Sequence, residues 1–147
     1  MKTVLTLVTV IILVLQYVLA RRQLRLALYD KRFPVYEKTL EYIDFVHKNG
    51  TTTAEATSAF RRDVVAKKFL FKEDVQDFVQ KLYDNGVNLW STAETLKGVE
   101  FGGGITEESR VQMILEVGEL KKWFINQEEV AKAVFLRYLS IPRSLWL

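Results

Sequence analysis

Carboxylates at helical spacing are the first residues in this chain that could do chemistry. Glu37, Glu41 and Asp44 fall in one segment, and Glu73, Asp74 and Asp77 in another. Glu37 and Glu41 stand four apart and share a helix face, which suits a metal ion or an acid–base pair. A two-carboxylate metal site on helices ordinarily recruits histidines at the same spacing. This chain has a single histidine, His47, at the end of an apolar stripe, where it reads as a helix-end residue. Lys38 and Lys48 lie within reach of the same carboxylates, so the cluster reads as a solvated, salt-bridged face. Any catalysis would require Glu37, Glu41 and His47 to converge in one pocket.

The other motifs point away from catalysis. Gly102, Gly103 and Gly104 lack the Lys-Ser/Thr that a phosphate-binding loop needs, and no strand pattern precedes them. They read as a flexible connector between helices. No serine stands in a nucleophile-elbow context, and Asn49-Gly50-Thr51 reads as a turn. The absence of cysteine excludes disulfides, thiolate metal sites and cysteine nucleophiles. The sequence therefore implies no catalytic residue, no metal, no cofactor and no small-molecule substrate.

What positions the rest of the chain is its opening stretch. Residues 3–20 carry no charge, and twelve of these eighteen residues are Val, Leu or Ile. Eighteen helical residues cover roughly 27 Å, close to the ~30 Å hydrocarbon core of a bilayer. The hydroxyls of Thr3, Thr6 and Thr9 can bond back to carbonyls one turn earlier, which lowers their cost in lipid. A cleavable signal peptide is the competing expectation, with Val18-Leu19-Ala20 as its weak cleavage site. Arg21, Arg22, Arg25, Lys31 and Arg32, against Asp30, give residues 21–32 a net charge of +4. Positive charge directly after a span keeps that side in the cytoplasm. The expected arrangement is an uncleaved single-pass anchor in the inner (plasma) membrane, N-terminus out and C-terminal domain cytoplasmic. The five cations are the expected lipid-headgroup contacts, each contributing about 1 kcal/mol against anionic lipid. Their place beside the span favours lipid over nucleic acid.

Beyond residue 20 the chain has 20 basic and 18 acidic residues in 127 positions, a nearly balanced charge and enough length for one core. The pattern is helical throughout. A transmembrane anchor is expected over 1–20, a basic juxtamembrane helix over 21–33, a cytoplasmic helical bundle over 34–141 and a short tail over 142–147. Pro34 predicts a new helix or a sharp kink. The next helix runs to Lys48 with Tyr36, Leu40, Ile43 and His47 on one face and Val35, Thr39, Tyr42 and Val46 one step round, and ends at Asn49-Gly50. Thr52 and Glu55 predict a capping box for a helix reaching about Lys68. Phe69-Leu70-Phe71 reads as a buried connector. Glu73 and Asp74 open a long helix whose run is interrupted by Gly86, where a close helix crossing is expected. Residues 98–105 form a loop, and Thr106 caps a helix with the stripe Met113, Val117, Leu120 and Phe124. The same spacing continues through Ala131, Phe135 and Tyr138, with Asn126 as a possible second cap, so one bent helix or two consecutive helices both fit. Ser140, Ile141 and Pro142 stop it. The fold class is all-α, one transmembrane helix followed by an antiparallel bundle of about five helices.

Three blocks carry a resemblance: KRFPVYEKTLEYIDFV at 31–46, AKKFLFKEDVQDFVQKLYDNGVNL at 66–89 and ELKKWFINQEEVAKAVFLRYLSI at 119–141. They resemble a group of small, uncharacterised bacterial proteins with one N-terminal span and a cytosolic all-helical domain. Pro34 departs from the pattern of that group. The resemblance implies the same topology and fold and brings no catalytic residues. The function expected on these grounds is non-catalytic binding, by a membrane-anchored adaptor or sensor that holds a protein partner or copies of itself. The alternative is a membrane-acting effector, such as a toxin or phage-defence component, that oligomerises through its span.

Overall fold

A computed structural model describes residues 1–100 and 104–140, without the side chains of Lys2 and Glu100. These residues form five α-helices: α1 (Lys2–Asn49), α2 (Ala54–Asp63), α3 (Glu73–Glu100), α4 (Glu107–Ile125) and α5 (Gln127–Leu139), with a 3₁₀ segment, Val65–Leu70, between α2 and α3. The apolar opening stretch, the basic segment and the first bundle helix are one continuous helix, α1.

Of the two expectations at Pro34, a new helix does not begin there, because Pro34 lies inside α1. Proline leaves the carbonyl four residues earlier, that of Asp30, without its donor. Asp30 and Pro34 are both exposed, so water can take the place of the missing N–H. Across the same turns Phe33 stacks on Tyr29 with ring centroids 5.6 Å apart and meets Tyr36 at 6.2 Å. That aromatic run bridges the proline from the other side. At its end α1 stops as the sequence predicts, on Gly50 in the left-handed conformation at φ 62°.

α1 buries Val35, Thr39, Tyr42, Ile43 and Val46. Of the two expected rows, the one through Val35, Thr39, Tyr42 and Val46 is the buried one, joined by Ile43 from the other. Tyr36 and Leu40 are half-buried and His47 is exposed. The Thr39 hydroxyl satisfies itself within the core by donating to the Val35 carbonyl at 2.7 Å.

α2 also begins and ends differently from its expected bounds. Its cap is Thr53, whose side chain accepts the Ala56 N–H at 3.1 Å. Thr52 is buried instead, with its hydroxyl 3.3 Å from that of Thr57. The helix stops at Asp63, and the chain tightens into the 3₁₀ segment. Of the expected buried connector, Phe71 is buried but Phe69 is 73% exposed.

Tyr42, Gly86 and Phe124 fix the height at which α1, α3 and α4 meet. A methyl added to Gly86 would collide with the Tyr42 hydroxyl and stand 3.1 Å from its Cζ, while the Tyr42 and Phe124 rings lie 6.4 Å apart. The close crossing expected at Gly86 is present. α4 and α5 are two helices meeting at Asn126, which occupies the cap position without a side-chain capping bond. Thr106 caps α4 as predicted by accepting the Ser109 N–H at 3.3 Å. α3 continues to Glu100, further than the expected loop start. Gly102 and Gly103 lie outside the described residues, as does the 142–147 tail.

α5 runs antiparallel to α1, since Tyr36 contacts Phe135 at 5.5 Å while Arg32 lies 5.3 Å from the Tyr138 ring centroid. The bundle thus has two ends. At the shaft end the exposed part of α1 emerges beside Phe71, Asp74 and Tyr138. At the far end α1 closes at Gly50.

Candidate functional site

The first candidate surface is the exposed shaft of α1. Apolar side chains between Val4 and Leu19 are 41–71% exposed, on every side of the helix, and residues 3–27 are all exposed. By length and composition α1 holds one apolar stretch able to cross a membrane, and none of that stretch is buried by the other described residues. The expected back-bonding of threonine is present at Thr9, whose hydroxyl donates to the Leu5 carbonyl at 2.9 Å.

The basic residues after this stretch divide into two groups. Arg21, Arg22 and Arg25 are exposed within the first five residues after Ala20, and at 100° per residue they occupy about one third of the helix circumference. Lys31 and Arg32 lie about 9–17 Å further along the axis than these three, roughly one to two Debye lengths at physiological salt. Lys31 is exposed, whereas Arg32 is engaged inside the bundle. Its Nε donates to the Leu70 carbonyl at 2.9 Å, and its guanidinium lies 5.6 Å from the Phe71 ring centroid and 5.3 Å from that of Tyr138. Arg32 ties α1 to the connector and to α5, a role its place in a run of cations did not reveal.

Glu37, Glu41 and His47 are not brought to a common pocket. All three are exposed along α1. Glu41 pairs with Lys38, and Asp44 with Lys48 at 2.6 Å, which is the salt-bridged face the spacing implied. The Glu41 carboxylate holds the Lys38 ammonium above its usual range by accepting its hydrogen bond. A shallow cavity of about 200 Å³ beside Glu41 is lined by Tyr42, Phe45, Phe60 and Asp63 among others, and neither Glu37 nor His47 reaches it. Among the described residues no cluster of three or more His, Asp or Glu side chains could hold a metal.

The second surface was not anticipated. α4 carries the expected stripe Met113, Val117, Leu120 and Phe124 toward the bundle, and a second apolar stripe faces away from it. Val111, Ile114, Leu115 and Ile125 are 48%, 51%, 64% and 56% exposed, and Gly118 between them has open space where a side chain would stand. At 100° per residue this outward seam lies roughly opposite the core stripe. The signal was legible: a helix apolar on two opposite faces has more apolar surface than one core can cover.

This seam stands clear of the other helices. From the Tyr42–Gly86–Phe124 level, α1 has about 12 Å left to Gly50, whereas α3 continues for about 21 Å and α4 starts about 25 Å away. The α3–α4 hairpin therefore projects roughly 10 Å past the far end. Two pairs brace its root, Lys81 Nζ over the Trp123 ring at 5.8 Å and Trp123 edge-on to Phe124 at 5.1 Å.

Comparison with protein families, with curated proteins and with solved structures finds no match to this chain.

Proposed function

We propose that the protein is a single-pass membrane adaptor whose shaft lies in the bilayer, N-terminus out, and whose bundle displays the α4 seam to a protein partner in the cytoplasm. The observation that carries the anchor is the shaft itself. Its valines, leucines and isoleucines face outward all round, and none of the described residues covers them. In water such a helix would expose far more contiguous apolar surface than a soluble monomer does. In lipid the same exposure is the favourable state, since every backbone group is satisfied within the helix. Arg21, Arg22 and Arg25 follow directly and favour the cytoplasmic side for what comes next.

The α4 seam supports binding as the task of the bundle. It is apolar, helical, partly free of the other helices, flanked by charge at Glu119 and Lys121, and closed by Lys122 in line beyond Gly118. An amphipathic helix of a partner laid along Val111, Leu115 and Gly118 would bury it. Crosslinking and capture from intact membranes tests this with Leu115→Lys beside the wild type and Lys97→Glu. The expected result is a partner, or a second copy, captured by wild type and Lys97→Glu and lost with Leu115→Lys. The same captured set from all three, or no specific capture, contradicts it.

A further inference from the structure

The shaft end of the bundle carries an exposed aromatic among cations, and the geometry points to a second lipid contact there, with Phe69 entering the headgroup layer flanked by Lys67 and Lys72. This inference rests on the anchor reading above. Phe69 is 73% exposed, more than any other described aromatic side chain, and Lys67 and Lys72 on either side are exposed as well. A ring left this exposed beside a well-filled core adds little to the packing of the bundle. The segment holding it crosses the end from which the shaft emerges, as the Arg32 bond to the Leu70 carbonyl fixes.

The distances allow contact. Partial burial of α1 begins at Leu28, about 12 Å along the axis from Ala20, and its first bond to the connector is at Arg32, about 18 Å along. The headgroup layer occupies roughly 5–8 Å of that interval, leaving a gap of about 5–13 Å. An extended lysine side chain covers about 6 Å of it, and the ordinary tilt of a membrane helix lowers one edge of the bundle across the rest. Glu73 is exposed nearby, and Asp74 is already held by Tyr138 and Arg137. The cations Lys67 and Lys72 therefore decide the preference for anionic lipid. The occupant is the bilayer that already holds the shaft, so no separate partner is required.

The chain has no cysteine, so one introduced cysteine labels one position. The full-length protein is reconstituted into vesicles of phosphatidylcholine alone or mixed with phosphatidylserine, carrying an environment-sensitive dye at Ile12→Cys, Phe69→Cys or Lys97→Cys. The vesicles contain lipids with a nitroxide quencher in the headgroup or in the acyl chain. Position 12 is expected to be quenched from the acyl chain, position 69 from the headgroup and more strongly with phosphatidylserine, and position 97 from neither. Lys67→Glu with Lys72→Glu should abolish the phosphatidylserine effect at position 69. Quenching at 12 with position 69 as silent as 97 overturns the inference and leaves the anchor standing. Quenching at 69 without quenching at 12 keeps the lipid contact and removes the anchor, and silence at both removes the two together.

Discussion

The hydroxyl end of Tyr42 occupies the space that a side chain at Gly86 would need. Tyr42 has little freedom to yield. Its ring stacks on Phe60 with centroids 4.3 Å apart, and its hydroxyl lies 3.3 Å from that of Thr57, itself 3.3 Å from that of Thr52. Burial pushes the phenol above its usual range, so it stays neutral. Helix propensity alone would reward Gly86→Ala by about 1 kcal/mol. Overpacking against a fixed ring outweighs that, and a net loss of about 1–2 kcal/mol is expected in urea unfolding in detergent. Gly98→Ala, on the same helix with open space around it, should instead gain about 0.5–1 kcal/mol.

The two groups of cations should separate experimentally. Arg32→Lys keeps the charge but loses the planar group that meets Phe71, Tyr138 and the Leu70 carbonyl. A loss of about 1–2 kcal/mol in unfolding free energy is expected. Replacing Arg21, Arg22 and Arg25 together by alanine should leave that free energy within about 0.5 kcal/mol. It should instead weaken the preference for anionic over neutral vesicles, by about 1 kcal/mol per residue. Equal effects of both changes on stability would contradict this division.

At the shaft end Tyr138 donates to the Asp74 carboxylate at 2.6 Å, with Arg137 at 3.8 Å. The Tyr138 bond holds the Asp74 carboxyl below its usual range, helped by the Val75 N–H and Arg137. The same bond raises the Tyr138 phenol. A depressed carboxyl stabilises the fold above its unfolded pKa, and that contribution fades as pH falls through the native value, below about 4. A raised phenol acts in the opposite sense, stabilising below about 10 and losing its effect as pH rises through the native value. Asp74 is 37% exposed, so the total is about 1 kcal/mol or less. Tyr138→Phe should lower stability by that amount near neutrality and flatten both flanks of a pH–stability profile.

Much of this architecture was legible in residue order because its signals are local. Gly50 ends α1, Thr106 caps α4, and Gly86 marks a crossing, each through its own backbone chemistry. The misreadings have a common cause, since tertiary contacts decide between local options. Pro34 is a breaker in isolation, yet it remains helical where its orphaned carbonyl faces water and aromatic rings bridge the turn. Thr52 and Thr53 are equally good caps by type, and the hydroxyl of Thr57 drew Thr52 into the core. Arg32 looked like one more cation of a basic run until Phe71 and Tyr138 arrived from 39 and 106 residues away. The α4 seam is masked in residue order by Met113, Val117, Leu120 and Phe124, a stripe that by itself accounts for the packing of the same helix.

The most direct test of the account is the accessibility of the shaft in native membranes. A single cysteine at Ile12 and another at Lys97 are challenged with a membrane-impermeant maleimide in inverted vesicles washed at alkaline pH. The account predicts that the protein stays in the pellet, that position 97 is labelled at once, and that position 12 reacts only after detergent is added. Release of the protein by the wash, or labelling at position 12 as fast as at position 97, would contradict it.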